Sequence, residues 1–353
     1  MRGRALAHKR VVKVAVVLPK SYFGKHEWKN SANATKYVDE AAKKGAKFIC
    51  FPEGYPGPAT GPLHSERLDR KPMDILREKA IEHNVYIGAG DIEESPGIPG
   101  AYFLTLQMLS PKGEVSKYMR VQPDTPPLNA YLYNGKAHLL PGEDFGIVQT
   151  SFGTVGLEIC SELFVPEISR ILMLRGAEIT FSPVHGSHSI TYHYRSNMKD
   201  TWRCLARARA AENLCYVIVT QNIYQLGGFE YGTSVACGAL VAGPEEMVGV
   251  REREGILLVE LDMERLEFLR TRNYDEMFLS KPKRGVKPVS CRPGQIWERR
   301  PEIYKELCEP HNYSFNYSYF KDGLDTWVDE YDRKIYGGKY RDIQKRHGKV
   351  TFK

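Results

Sequence analysis

Short apolar segments alternate with helical segments along the first part of the chain. Val11–Leu18 (VVKVAVVL) is almost continuously apolar and β-branched, which predicts a strand buried on both faces. Residues 30–45 have helical periodicity, and Gly45 stands where a helix ends on a left-handed residue. Residues 47–51 predict the next strand and residues 73–84 the next helix. The alternation indicates βαβ units whose helices cover both faces of a sheet.

The same pattern continues to about residue 270. Further strands are predicted at 85–89, 101–109, 115–121, 146–150, 155–159, 178–182, 215–220, 233–242 and 255–262, and further helices at 166–175 and 201–213. Beyond residue 271 the apolar periodicity fades, while Arg, Lys, Pro and Tyr become frequent. We therefore predict one α/β domain over residues 1–270. The remaining residues, 271–353, are predicted to form an extended C-terminal arm that contacts the body or a neighbouring subunit.

Composition excludes several classes of protein. The 353 residues are 42% hydrophobic and 26% charged, which is ordinary for a globular chain. No apolar run approaches the roughly 18 to 20 residues that a membrane span needs. The basic N-terminus lacks a cleavage site of small residues, so it does not predict a signal peptide. The net charge of +7 is modest and forms no basic stripe with aromatics, so we expect neither a membrane nor a nucleic acid as partner.

Cysteine and histidine usage bears on compartment and metal binding. The seven cysteines are scattered and include no CxxC pair, which favours a reducing, cytoplasmic location over a disulfide framework. His185, His188 and His193 are near one another in sequence but lack partnering Cys or acidic residues at ligand spacing. We expect no metal and no organic cofactor.

Two reactive side chains follow predicted strands. The strand before Cys160 is apolar up to the cysteine and then stops, and open α/β sheets place reactive groups at such strand ends. Glu53 follows an equally apolar strand, where a poorly solvated carboxylate has a raised pKa that suits a general base. Each feature alone also fits a structural role, because free cysteines are usually buried and a glutamate often caps a turn.

The motifs around these residues resemble those of the nitrilase superfamily of carbon–nitrogen hydrolases. Residues 51–53 (FPE) resemble the signature that supplies the base, and residues 156–170 (GLEICSELFVPEISR) resemble the nucleophile signature. The likeness continues through residues 174–178, and residues 202–213 (WRCLARARAAEN) resemble the helix before the next strand of the family. The resemblance spans roughly residues 11–270. It implies a four-layer α-β-β-α sandwich and a homo-oligomer.

The third catalytic group of the family is a lysine, and this chain departs from it. Alignment on Tyr118 and Pro123 puts Arg120 at the lysine position. Lys117 is a poor substitute, because positions three apart on a strand point to opposite faces. Arg120 is expected either to stabilise a developing oxyanion through its N–H donors or to hold Glu53 or another carboxylate in place. Its permanent charge excludes a role as a neutral amine.

A second departure concerns substrate positioning. Many members of the family carry an additional glutamate before a Pro-Gly pair, but this chain has no glutamate between Glu114 and Glu143. Asn134, Lys136 or His138 is a candidate replacement, and we select Lys136 as a substrate-binding residue. Ser161 is the other expected substrate contact, through its backbone N–H.

The resemblance implies a thiol-dependent hydrolase of a small amide or N-carbamoyl compound, acting through a thioester on Cys160. Three alternatives remain open on the sequence. The chain could act on an organic nitrile, transfer an acyl group to an acceptor other than water, or be a catalytically silent relative that binds a small molecule or a protein. Retention of both Glu53 and Cys160 favours an enzyme over the silent relative.

Overall fold

The computed structural model describes residues 10–22, 26, 28–57, 71–98, 101–123, 138–185, 195–225, 237–271 and 294–308. The chain divides into two compact units. The first comprises residues 1–93, 103–123 and 140–294, and the second comprises residues 94–102, 124–139 and 295–353. All the candidate site residues described below belong to the first unit.

The described strands and helices follow the predicted alternation. The strands are β1 (Val11–Leu18), β2 (Lys20–Tyr22), β3 (Phe48–Cys50), β4 (Tyr86–Glu94), β5 (Ala101–Leu109), β6 (Val115–Met119), β7 (His138–Leu139), β8 (Gly146–Thr150), β9 (Gly153–Leu157), β10 (Ile179–Val184), β11 (Tyr216–Gln221), β12 (Ile223–Gln225), β13 (Ala239–Ala242), β14 (Met247–Arg251) and β15 (Gly255–Asp262). The helices are α1 (Lys29–Lys43), α2 (Pro72–His83), α3 (Pro166–Leu174), α4 (Arg195–Asn213), α5 (Met263–Thr271) and α6 (Gly294–Trp297).

The strands form two main sheets. The first has the order β15-β1-β3-β4-β5-β6, with the short β7 paired to the start of β5, and the second has the order β14-β13-β11-β10-β9-β8. Strand β1 lies parallel to β3 and antiparallel to β15, with which it pairs over its full length from Val11↔Asp262 to Leu18↔Gly255. Because β1 has neighbours on both edges and is covered on both faces, its nearly continuous apolar sequence is the one expected of a central strand.

Helices cover the outer face of each sheet. Ala15 and Val17 of β1 pack with Ala34 and Val38 of α1 and with Leu76 of α2 in one apolar core. A second core lies between the second sheet and α4, and its fully or nearly fully buried members are Leu163, Val184, Trp202, Ala206, Ala210, Cys215, Val217, Val219, Cys237, Leu240 and Ala242. Both α2 and α3 begin at a proline, which suits the first turn because that position needs no N–H donor.

The inner faces of the two sheets pack against each other. A Cβ added at Gly88 of β4 would lie 2.6 Å from the ring of Phe181 of β10, so this glycine allows the close approach of the sheets. The Thr220 hydroxyl of β11 donates a hydrogen bond of 2.5 Å to the carbonyl of Val17 in β1. The layers are therefore helix, sheet, sheet and helix, and the predicted α-β-β-α sandwich is confirmed.

Some of the described elements differ from the sequence predictions at their ends. The strand predicted at 47–51 ends at Cys50, and the helix predicted at 201–213 begins earlier, at Arg195. In the predicted C-terminal arm, the structure describes residues 294–308, where Trp297 is 78% exposed. The division of the chain at residue 271 and the role of the arm as an oligomer contact stay predictions. Within the described ranges, no helix has the length and apolar character needed to cross a bilayer.

A buried carboxylate next to β9 links the protein's stability to pH. Glu158 is fully buried and accepts a hydrogen bond of 2.7 Å from Ser169 of α3. Burial raises the pKa of Glu158 from 4.5 to about 7, and the negative charge of Glu162 adds to the shift. Between these two pH values the folded state binds more protons than the unfolded state, so stability falls as the pH rises through this window.

We predict that Glu158→Gln removes this component of the pH dependence. Between pH 4.5 and 7 the free energy of unfolding of the wild type should fall, relative to that of the variant, by about 3 kcal/mol. Urea unfolding of both proteins at pH 5 and pH 8 measures the change. Glu167→Gln, at an exposed position of α3, is the control. A constant difference between wild type and Glu158→Gln across this range would contradict the prediction.

Candidate active site

Cys160 lies at a strained turn beyond the end of β9. It begins a 3₁₀ turn, Cys160–Phe164, and its φ of 55° is in the left-handed region, which non-glycine residues seldom adopt. Its side chain is partly exposed, whereas the side chains of Cys50, Cys215 and Cys237 are buried. Burial raises the pKa of Cys215 to about 11, so this thiol stays neutral at physiological pH. Cys160 is thus distinguished from the core cysteines by both its backbone and its accessibility.

The turn that carries Cys160 is held from the side of α4. The guanidinium of Arg209 donates hydrogen bonds to the carbonyls of Leu163 (3.1 Å) and Phe164 (3.4 Å). The ring of Phe164 packs edge-on against Trp202, with 4.9 Å between ring centroids. These contacts satisfy carbonyls at the end of the turn and fix it against the helix. Arg209 and Trp202 both come from the helical segment that the sequence analysis matched to the family.

Glu53 lies in a tight loop directly after β3. The loop turns at Gly54, whose φ is 62°, and the next residue bonds to β4, where the Gly90 N–H donates to the Tyr55 carbonyl at 3.1 Å. A Cβ at Gly90 would stand 2.4 Å from the Gly54 nitrogen, so only glycine allows the loop to approach β4 this closely. The Glu53 side chain is 4% exposed. It is therefore a buried carboxylate at a strand end, as predicted.

Asn222 connects the Glu53 loop to a loop of the second sheet. Its amide nitrogen donates to the carbonyls of Glu53 and His185, each at 2.9 Å. Its amide oxygen accepts a hydrogen bond of 2.7 Å from Ser21. Asn222 and Ser21 are both buried, so the two loops are joined by a fully desolvated side chain. His185 enters this network through its backbone carbonyl.

Arg120 follows β6 and is 1% exposed. Its backbone is held on both sides, because its N–H donates to Leu104 (2.9 Å) and its carbonyl accepts from Gly142 (2.7 Å). A Cβ at Gly142 would clash with the carbonyl of Met119 at 2.2 Å, so this contact also requires glycine. The chain thus places a long cationic side chain in the protein interior on a fixed backbone.

The Arg120 guanidinium joins the two halves of the site. One terminal nitrogen, Nη1, lies 3.5 Å from a carboxylate oxygen of Glu53, and the other, Nη2, donates to the Ser161 hydroxyl. Ser161 is the neighbour of Cys160 in sequence, so Arg120 lies next to the turn that carries the thiol. The structure therefore brings Glu53, Arg120 and Ser161 together.

Two lysines were considered for the site from the sequence, Lys117 and Lys136. Lys117 points to the other face of β6, where it is half-exposed and pairs with Glu93 at 2.8 Å, as strand alternation predicts. Lys136, the second predicted substrate contact, lies outside the described residues. Its role stays a prediction.

Two further buried residues, Glu162 and Asn222, lie at the site and were not predicted from the sequence. Burial raises the pKa of Glu162, while the charge of Arg120 and several hydrogen bonds oppose the shift. Both residues left a signal in the sequence. Glu162 stands two positions after Cys160, and Asn222 ends an apolar strand as Glu53 and Cys160 do. A polar residue at such a strand end is a general indication of a site.

One group of described side chains has the spacing of a metal site, but it is on the two outer helices. Asp39 of α1 and Glu82 and His83 of α2 offer ligand atoms within 4.8 Å of one another. The ammonium of Lys79 already pairs with Asp39 at 2.8 Å and with Glu82 at 2.9 Å. Because a cation of the protein already occupies these carboxylates, we assign no metal to them.

A family model matches most of the length of the chain. The model of the family described as "Carbon-nitrogen hydrolase" matches residues 13–271, well over half of the sequence. The chain belongs to the carbon–nitrogen hydrolase family. Its predicted membership of the nitrilase superfamily and its assignment to enzymes acting on carbon–nitrogen bonds other than peptide bonds are confirmed.

Individual relatives are moderately similar to this chain. Nitrilase homolog 2 of Dictyostelium discoideum is 29% identical over 201 residues, which cover 55% of this chain and 58% of that protein. The omega-amidase of Homo sapiens is 26% identical over 251 residues, 68% of this chain and 86% of that protein. The deaminated glutathione amidase of Synechocystis is 28% identical over 254 residues, 68% of this chain and 89% of that protein.

Solved structures share the fold. The carbon-nitrogen hydrolase of Helicobacter pylori superposes with a TM-score of 0.67 and 21% identity, covering 86% of this chain and all of that chain. An amidase from Nesterenkonia superposes with a TM-score of 0.57 and 20% identity, covering 76% of this chain and 95% of that chain. At these identities the likeness establishes the arrangement of strands and helices alone.

We predict that Gly90→Ala displaces the Glu53 loop. The added methyl group would meet backbone, which can move only with the loop, so we expect a loss of about 1 to 3 kcal/mol of stability. Displacement of Glu53, the predicted base, should also lower the alkylation rate of Cys160 by iodoacetamide, by about 10-fold or more. The matched control is Gly97→Ala, whose methyl group would meet no atom within 4 Å. Equal behaviour of the two variants would contradict the assigned role of Gly90.

Proposed function

We propose that this protein hydrolyses a small linear amide or N-carbamoyl compound through a thioester on Cys160. The observation that carries the proposal is the buried guanidinium of Arg120, in contact with both the Glu53 carboxylate and the hydroxyl next to Cys160. A thiol at a strained strand end, a desolvated carboxylate and a fixed cation are the three components that acyl transfer from an amide needs.

The proposed reaction begins with proton transfer from the Cys160 thiol to Glu53. The resulting thiolate attacks the carbonyl carbon, and the negative charge that develops on oxygen is stabilised by Arg120 and by the backbone N–H of Ser161. Glu53 returns the proton to the leaving nitrogen, and ammonia or an amine departs. Glu53 then takes a proton from water, which attacks the thioester and releases the acid with free Cys160. Arg120 keeps its charge throughout, since a guanidinium does not lose its proton at neutral pH.

The names of the relatives support an amide over a nitrile as substrate. Two of the three relatives compared above are described as amidases, an omega-amidase and a deaminated glutathione amidase. In one structure of a mutant of the Nesterenkonia amidase, the acetamide moiety of fluoroacetamide is attached covalently to the active-site cysteine. We extend the amide class and the cysteine nucleophile to this chain as part of the proposal. The homo-oligomer and the cytoplasmic location stay predictions.

The test is ammonia release by the purified protein against a panel of amides, N-carbamoyl amino acids and nitriles. We expect turnover of at least one amide or N-carbamoyl compound, and loss of that turnover by at least about 10³-fold in Cys160→Ala. Cys204→Ala, which removes an exposed thiol on α4, is the matched control and should retain full activity. Turnover confined to nitriles would replace the amide assignment. No turnover, together with alkylation of Cys160 no faster than that of a free thiol, would favour a silent binding protein.

We predict that Arg120→Lys lowers kcat even though the family carries lysine at this position. The two terminal nitrogens of Arg120 reach different partners, Glu53 and Ser161, whereas a lysine offers one nitrogen. We therefore expect kcat to fall by about 10-fold or more. Arg175→Lys, at an exposed arginine paired with Asp144, is the control for the substitution itself. A wild-type kcat in Arg120→Lys would mean that a positive charge at this position is sufficient for turnover and that the forked guanidinium is not needed.

A further inference from the structure

The buried carboxylate of Glu162 lies between the turn Cys160–Phe164, to which it belongs, and the segment around Arg120, residues 118–122. Its Oε1 accepts hydrogen bonds from the backbone N–H groups of Val121 (2.9 Å) and Gln122 (3.0 Å). Its Oε2 accepts from the backbone N–H of Ile159 at 2.7 Å. The Tyr118 hydroxyl is 2.9 Å from Oε1 and 2.8 Å from Oε2. Four donors thus converge on a side chain that is fully buried.

These donors come from two parts of the chain that are distant in sequence. Tyr118, Val121 and Gln122 flank Arg120, one before it and two after it. Ile159 immediately precedes Cys160, and Glu162 itself belongs to the same turn as the thiol. The carboxylate therefore ties the backbone after Arg120 and the Tyr118 side chain before it to the turn that carries Cys160.

The three backbone N–H groups require a side chain at position 162 that accepts hydrogen bonds at both of its terminal atoms. The backbone N–H groups bind Oε1 from one segment and Oε2 from the other, and only a carboxylate accepts at both oxygens without presenting a hydrogen of its own. Hydrogen bonds to a charged acceptor in the interior are stronger than those between neutral groups. Loss of the hydrogen bonds at either oxygen would allow the segment around Arg120 and the turn that carries Cys160 to move relative to each other.

We propose that Glu162 is a positioning residue that sets the place of Arg120 relative to Cys160. It acts through Arg120 and does not touch the reacting atoms. The inference rests on the proposed function, since it assigns Arg120 a part in the reaction at Cys160. If Glu162 acts through Arg120, the effect of a Glu162 substitution on turnover depends on the presence of the Arg120 side chain, and this dependence is measurable.

The experiment is a double-mutant cycle of Glu162→Gln and Arg120→Ala, with kcat and KM measured on the best substrate of the panel. Glutamine keeps the size of the side chain but presents an NH₂ group to one of the two sets of N–H donors. In the wild-type background we expect kcat to fall about 100-fold with KM changed by less than about 3-fold. In the Arg120→Ala background the same substitution should lower kcat by less than about 5-fold, because the group that it positions is gone.

Two outcomes would overturn the inference. One is an equal loss of kcat in both backgrounds, which would show that Glu162 acts independently of Arg120. The other is a kcat within about 3-fold of wild type with only the melting temperature lowered, which would show a purely structural role. Glu158→Gln is the matched control, since it makes the same substitution at another fully buried glutamate of the same signature, bonded to Ser169. Its kcat should stay within about 2-fold of wild type.

Failure of the proposed function is distinguishable from failure of this inference. If the wild type turns over no substrate, the same four proteins are compared by the rate at which iodoacetamide alkylates Cys160, since Arg120 contacts Glu53, the base for this thiol. A lower rate in Glu162→Gln that disappears in the Arg120→Ala background supports the inference, and equal effects in both backgrounds contradict it. If Arg120→Ala does not fold, Arg120→Met, which also removes the guanidinium but keeps most of the side-chain length, takes its place in the cycle, with the same expectations.

Discussion

The contact of the Arg120 guanidinium with Glu53 and Ser161 is the interaction on which the site depends. Neither Arg120 nor Glu53 has appreciable solvent contact, and a buried charge without a partner costs several kcal/mol. Each therefore makes the burial of the other possible. Because the two terminal nitrogens of the guanidinium contact different segments, the same side chain also brings Glu53 and the turn that carries Cys160 to one place.

Rigid backbone around these side chains makes such a contact sustainable. Gly90 and Gly142 allow main chain to approach main chain at the loops that carry Glu53 and Arg120. Asn222 and Glu162, whose side chains are both buried, then join those loops to the second sheet through hydrogen bonds. A site built in this way is held in place before substrate arrives, which is how fixed charges contribute to catalysis.

Much of the fold could be predicted from the sequence alone, because the spacing of apolar residues and the residue types found in turns are local properties. The bounds of Val11–Leu18 and Gly255–Asp262 agree with the structure at both ends, and Gly45 ends α1 with a φ of 83°. The start of α4 was predicted too late, because residues 195–200 are polar and charged and carry little apolar periodicity. For the site, strand-end position together with the resemblance to the family identified Cys160 and Glu53, and alignment with the family on Tyr118 and Pro123 identified Arg120.

The sequence by itself determined the alternation of elements and the strand ends at which reactive groups stand, because these follow from patterns within a few neighbouring residues. The sandwich class followed from the resemblance of its motifs to those of the family. Only the tertiary structure decided that Arg120 pairs with Glu53, that it also bonds Ser161, and that Glu162 ties the two segments together. These contacts join residues that are about 40 or more positions apart. They exist because two sheets stack face to face and bury the ends of their strands, and no local pattern of side chains encodes that meeting.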